Sequence, residues 1–125
     1  MYLIDTCALL WFLDDNPKLS EKAKDMIGKS NDLYLSIASL WEISIKKAIH
    51  KLDIEETITD LENICIHYGI TVLPIKIPYL EKIQQLPLIH NDPFDRLIIA
   101  TTLEEKLTLI THDSNIQKYD INLFW

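Results

Sequence analysis

The chain has 125 residues, 48% of them apolar, with only two glycines. That is enough for one folded core and excludes a disordered chain, and no apolar run reaches the length of a membrane span. The formal charge of −7 argues against a basic surface that binds nucleic acid without specificity, but not against an enzyme whose acids hold cations.

The start, "MYLIDTCALLW", is apolar but carries Asp5 and no basic leader. It reads as a first strand and turn, not a secretion signal, which makes the cytoplasm the expected location. Tyr2–Ile4 is a short β-favouring run, and Ala8–Leu13 a short helix ending near "DDNP". Ser20 is a plausible N-cap for a helix with Ala23, Met26 and Ile27 inside and a stop at Gly28. Leu33–Ser36 is the second strand. Ser39 then opens a helix to about His50, and Ser39 and Glu42 have the spacing of a capping box. Thr57–Tyr68 has helical spacing at Ile58, Leu61, Ile64 and Cys65 and stops before Gly69. Ile70–Ile75 is a third strand, and Pro78–Leu86 a helix with proline at its start. Asp92–Lys106 is a helix, Leu107–Thr111 a fourth strand and Ile121–Trp125 a short last one.

Strands alternate with helices, and the strands are nearly continuous apolar runs, as when both faces of a sheet are covered. The expectation is a single domain, residues 1–125, folded as a three-layer α/β/α sandwich with a mostly parallel sheet. Cys7 and Cys65 match no zinc or redox spacing and read as buried free thiols.

Acids fall where such a sheet binds ligands. Asp5 closes the first strand and Asp113 follows the fourth; the C-terminal strand ends of a parallel sheet share one edge. Glu42 lies early in the helix after the second strand, and Asp92 and Asp95 begin the helix before the fourth. If these helices start at the same edge, Asp5, Glu42, Asp95 and Asp113 converge, and such a cluster repels itself unless cations intervene. An all-oxygen set suits Mg²⁺ or Mn²⁺ and metal-assisted phosphodiester hydrolysis. Each acid also has a purely structural reading. Asp5 can form an Asx turn, Glu42 can complete the capping box, and Asp113 can cap a short helix at "DSNIQKY". Asp92 as N-cap, Pro93 at N1 and Asp95 at N3 make a good helix start by local chemistry alone.

The blocks "LIDTCALLWFL", "SIASLWEISIKKAIHKL", "HNDPFDRLIIATT" and "LTLITHD" occur in the order of the PIN domain, and the chain resembles the VapC-like toxin ribonucleases of toxin–antitoxin pairs. The resemblance spans nearly the whole sequence. It implies a PIN-like sandwich, an endoribonuclease dependent on Mg²⁺ or Mn²⁺, an RNA substrate, a homodimer and a cognate antitoxin. By block, Asp5, Glu42, Asp95 and Asp113 match the family's four acids, and Thr6 and Thr111 match hydroxyls that support them. Asp92 belongs to a subgroup pattern, Asp-Pro-Phe-Asp-Arg, outside the four.

Arg96, the single arginine, is either a phosphate contact or charge balance beside the third acid, or a solvent-facing or ion-paired structural residue. Lys46, Lys47 and Lys51 read as a solvated face. His90 and His112 flank acids without ligand spacing and read as structural or supporting residues, and Trp11 and Trp41 read as core or dimer packing. Two rival functions are a non-catalytic partner-binding module of the same fold and a phosphorelay receiver domain. The receiver lacks support: the first strand ends in "DTC" without adjacent acids, and no lysine closes the last strand.

Overall fold

Side chains alternate across each strand, so an apolar strand needs cover on two sides. Leu3 and Ile4 show this at the centre of the sheet: they are adjacent, both fully buried, and belong to different cores. The computed structural model describes residues 1–125. Its elements in chain order are β1 (Tyr2–Ile4), α1 (Thr6–Leu13), α2 (Glu21–Lys29), β2 (Leu33–Ser36), α3 (Ile37–Ala48), α4 (Ile58–His67), β3 (Ile70–Leu73), α5 (Ile77–Gln85), α6 (Pro93–Glu104), β4 (Thr108–Ile110) and β5 (Leu123–Phe124). A 3₁₀ turn, Ile116–Lys118, lies between the last two strands.

The sheet is parallel throughout, in the order β3-β2-β1-β4-β5. On one face, Ala8 and Leu9 of α1, Ala23 and Ile27 of α2, Leu40 and Ile43 of α3 and Leu61 of α4 pack over Ile4, Leu33, Leu35 and Ile110. On the other, Tyr79 of α5 and Leu97 to Ala100 of α6 pack over Leu3 and Leu109. The result is an α/β/α sandwich. No helix is long and apolar enough to cross a membrane.

Several boundaries differ from the sequence expectation for local reasons. α3 begins at Ile37, earlier than the expected cap at Ser39. Ser36 ends β2 and is also the N-cap, its hydroxyl accepting from the Ala38 N–H at 3.1 Å. Strand therefore passes into helix with no loop, the Ser39–Glu42 capping box does not form, and Glu42 falls in the second turn. A capping box forms instead in α4, between Thr57 and Asp60. β3 stops at Leu73 because Pro74 has no N–H for the ladder. α2 runs through Gly28 to Lys29, since Gly28 lacks the left-handed backbone of a C-terminal glycine. Gly69 does adopt it, at φ 68°, and ends α4 as expected.

The register sets up the site. Ile4 pairs with Leu35 on one side and Ile110 on the other. The residues that follow, Asp5, Ser36 and Thr111, therefore lie level at one edge. The chain leaves β1 toward β2 and β3, then returns to add β4 on the other flank of β1. This switch in strand order opens a crevice at the C-terminal ends of β1 and β4.

Candidate active site

Asp5 stands at that crevice. Its extended backbone makes it the N-cap of α1, and its Oδ1 accepts from the Ala8 N–H at 2.6 Å. This is a helix cap, not the isolated Asx turn considered from sequence. Burial pushes the Asp5 carboxyl up to about 6; hydrogen bonds from Thr111 and Ala8 oppose the shift, and the charges of Asp113 and Glu42 add to it. The Thr111 hydroxyl also accepts from the Asp113 N–H at 3.1 Å, so one side chain bonds the last acid and lies near enough to the first to favour its charged form.

Glu42 is buried on α3. Its Oε2 accepts from Lys46 Nζ at 2.8 Å, a contact made by i,i+4 spacing. Its Oε1 is buried with no partner at all. Lys46, expected on a solvated face, is thus a cation at the acid cluster, and the hydrogen bond to Glu42 raises its pKa.

Asp95 lies in the first turn of α6. Its carboxyl is pushed above the usual range by burial first and by the charge of Asp92 next; a His90 hydrogen bond opposes this, while Asp113 and Glu42 add to it. Asp92 is the N-cap, its Oδ1 accepting from Phe94 N at 2.9 Å and Asp95 N at 3.0 Å. Asp113 is exposed, and its Oδ1 caps the turn of Asn115 and Ile116 at 2.9 and 3.0 Å. Its structural reading from sequence is therefore realised beside its electrostatic reach to Asp5 and Asp95.

Asp5, Glu42, Asp95 and Asp113 thus share one field. No three carboxylate, imidazole or thiol groups are gathered tightly enough to form a closed metal cage. The donor chemistry nonetheless fits a hard divalent cation. The oxygen Glu42 Oε1 is stranded, the buried Asp5 and the half-buried Asp95 have raised pKa values, and Mg²⁺ keeps several waters and needs only one or two direct carboxylates.

The supporting residues divide. Thr6 does not touch an acid: its hydroxyl donates to the buried Ser39 hydroxyl at 2.9 Å and ties α1 to α3. Arg96 is buried and turns away from the crevice, donating to the carbonyls of Pro87 and Ile83 and to the Tyr119 hydroxyl. Neither phosphate contact nor a solvent-facing position matches that geometry, because helix α6 points this residue into the core beneath α5. Cys7 is exposed, not buried, and the charges that act on its thiol are those of Asp5, Glu42, Lys46 and Asp95. Its thiol is still pushed up to about 11, by desolvation first and then by Asp5 and Glu42. Trp41 is 55% exposed and stacks edge-on against Phe94, so it is not a core residue. Tyr119 carries no local sequence signal of a place at the site. Lys46 does carry one, the Glu-x-x-x-Lys spacing that sets it beside Glu42.

A family model described as PIN domain matches residues 2–122. No curated protein sequence matches the chain. Among solved structures, FitAcB from Neisseria gonorrhoeae aligns over 100% of this chain and 97% of its own at 20% identity, with a TM-score of 0.66. VapBC2 from Rickettsia felis, bound to a DNA fragment from its promoter, aligns over 98% and 96% at 15% identity, with a TM-score of 0.72. A toxin–antitoxin complex from Klebsiella pneumoniae aligns over 100% and 97% at 16% identity, with a TM-score of 0.68. At these identities the likeness is one of fold.

Proposed function

Because the chain belongs to the PIN domain family, we propose that it is a metal-dependent endoribonuclease, the toxin of a toxin–antitoxin pair, acting as one domain in the cytoplasm. The observation that carries the reading is the mutual electrostatic burden of Asp5, Glu42, Asp95 and Asp113 at the β1/β4 crevice, with the oxygen Glu42 Oε1 buried and unpartnered. Capping accounts for Asp5 and Asp113 singly, but not for the convergence of four acids or for a buried Glu42 Oε1 without a partner.

Asp5, Glu42 and Asp95 would hold Mg²⁺ or Mn²⁺, with Asp113 at the exposed side. A bound ion would supply positive charge for phosphodiester hydrolysis, acidifying an attacking water and stabilising the leaving oxygen. Thr111 orients Asp5 and Asp113. Asp92 sets the first turn of α6 and so the position of Asp95. Lys46 counters the charge of Glu42 and offers a cation to a scissile phosphate at the rim.

Two surfaces support the partners. Ile37, Trp41, Ile45 and Ile49 are all exposed at four-residue spacing along α3, and they suit a second copy of the chain. A cleft of about 520 Å³ is lined by Leu10, Trp11 and Leu13 on one side and by Asp53, Glu55 and Glu56 on the other. That mixture suits a basic amphipathic segment of an antitoxin.

The test is cleavage of RNA by the purified chain with Mg²⁺, with Mn²⁺ and in chelator. Cleavage that needs metal and is lost in Asp5→Asn and Glu42→Gln is the expected result. Equal cleavage in chelator, or full activity in both variants, overturns the reading.

A further inference from the structure

Asp95 is not held by the helix alone. His90 lies in the linker between α5 and α6, and its side chain is only 11% exposed. Its ring spans two partners, with Nδ1 2.8 Å from the Tyr119 hydroxyl and Nε2 3.3 Å from Asp95 Oδ2. A neutral imidazole donates from one nitrogen and accepts at the other, so the two contacts are not independent.

Arg96 settles the direction. A guanidinium only donates, and Arg96 Nη1 lies 3.0 Å from the Tyr119 oxygen. The hydroxyl therefore accepts from Arg96 and has its own proton left to donate. Its other partner is His90 Nδ1. With Nδ1 accepting, the ring proton sits on Nε2 and points at Asp95. We infer that Arg96, Tyr119 and His90 form a directed hydrogen-bond relay that fixes the His90 tautomer, pins Asp95 Oδ2 and leaves Asp95 Oδ1 for the metal. His90 and Tyr119 are thus positioning residues for the third acid.

The relay is anchored at its first two members. Arg96 is held by the Pro87 and Ile83 carbonyls at 2.9 and 3.2 Å. Tyr119 is held by the turn that Asp113 caps, its own N–H donating to the Ile116 carbonyl. The acid on the β4 side therefore helps place the acid on α6 through backbone and ring contacts. Partners of this kind fix the orientation of a metal ligand, and their loss weakens metal binding by about ten-fold or more.

The inference rests on the proposal that Asp95 is a metal ligand, and the experiment separates the two. In metal-free, ¹⁵N-histidine-labelled protein at mildly alkaline pH, long-range ¹H–¹⁵N spectra report the tautomer, with His90→Gln used for assignment. Wild-type His90 is expected as the Nε2–H form. Tyr119→Phe keeps the ring but removes the donated proton, and the Nε2–H form should give way to a mixture. Mn²⁺ titration followed by electron paramagnetic resonance should then show binding weakened about ten-fold in Tyr119→Phe and His90→Leu. His90→Gln retains a donor near Nε2 and should recover most of the affinity. A wild-type Nδ1–H tautomer, or wild-type Mn²⁺ affinity in both Tyr119→Phe and His90→Leu, overturns the relay. Asp95→Asn is the separate control: if it binds Mn²⁺ and cuts RNA as wild type does, the reading of Asp95 as a ligand fails whatever the tautomer.

Discussion

Asp5 carries two opposed loads. As N-cap it stabilises α1, and as a buried carboxylate beside other acids it destabilises the metal-free fold. Its carboxyl rises from 3.8 to about 6 on folding, so between those values the folded state binds more protons than the unfolded chain. Stability of the metal-free protein therefore falls as pH rises from about 4 to about 6 and levels off above, by about 3 kcal/mol for this group. Asp5→Asn keeps a good cap and removes the charge. Denaturant melts in chelator should show the pH slope reduced and stability at neutral pH raised, while RNA cleavage is lost. Asp92 behaves differently. Its Oδ1 serves two backbone N–H groups, so Asp92→Ala should cost about 1 kcal/mol yet leave measurable cleavage. Asp92→Asn keeps the cap and removes the largest neighbouring charge acting on Asp95. The acid limb of its pH–rate profile should move to lower pH. A dead but fully stable Asp92→Ala would instead make Asp92 part of the metal site.

At the scale of elements, the site depends on how three helices begin. α1 starts on Asp5, α6 starts on Asp92, and α3 starts on Ser36 at the end of β2. Each start lies at or near the sheet edge, so the caps that stop the helices from fraying also place the acids. In α3 the cap is Ser36, and Ser39 has a separate duty as acceptor for Thr6. Ser36→Ala should lower stability by about 1 kcal/mol in thermal or denaturant melts, the usual loss for an N-cap hydroxyl. No loss in that variant would place the start of α3 elsewhere.

At the scale of the whole molecule, charge and apolar surface are separated. The acids crowd the C-terminal edge of the sheet and the mouth of the 520 Å³ cleft, while an apolar row runs along α3. A copy of the chain seated on that row would bury Ile37, Trp41, Ile45 and Ile49 together. Sedimentation equilibrium should give a dimer for the wild type and a monomer for Ile49→Glu, whose exposed position leaves the fold intact. Binding of a basic partner at the cleft should weaken as salt is raised, because its acids are open to screening.

Some of this was written in the sequence alone. The alternation of strands and helices follows from apolar runs and spacing, and the caps at Ser20 and Asp92 follow from local hydrogen bonds that a short peptide can specify. The acids at strand ends were equally visible, as was the PIN resemblance they carry. Other features depend on residues far apart in the chain and only the tertiary structure decides them. Parallel pairing of β4 beside β1 brings Thr111 and Asp113 to Asp5, across more than a hundred residues of chain. The burial that raises Asp5 and strands Glu42 Oε1 is a property of packed helices, not of composition. Arg96 read equally as a charge for the site or as a solvent-facing or ion-paired residue, and packing of α6 against α5 turned it inward to Tyr119. His90 and Tyr119 lie 29 residues apart. No local pattern joins them, because a hydrogen bond between side chains that distant exists only once the sheet and its helices have set both backbones in place.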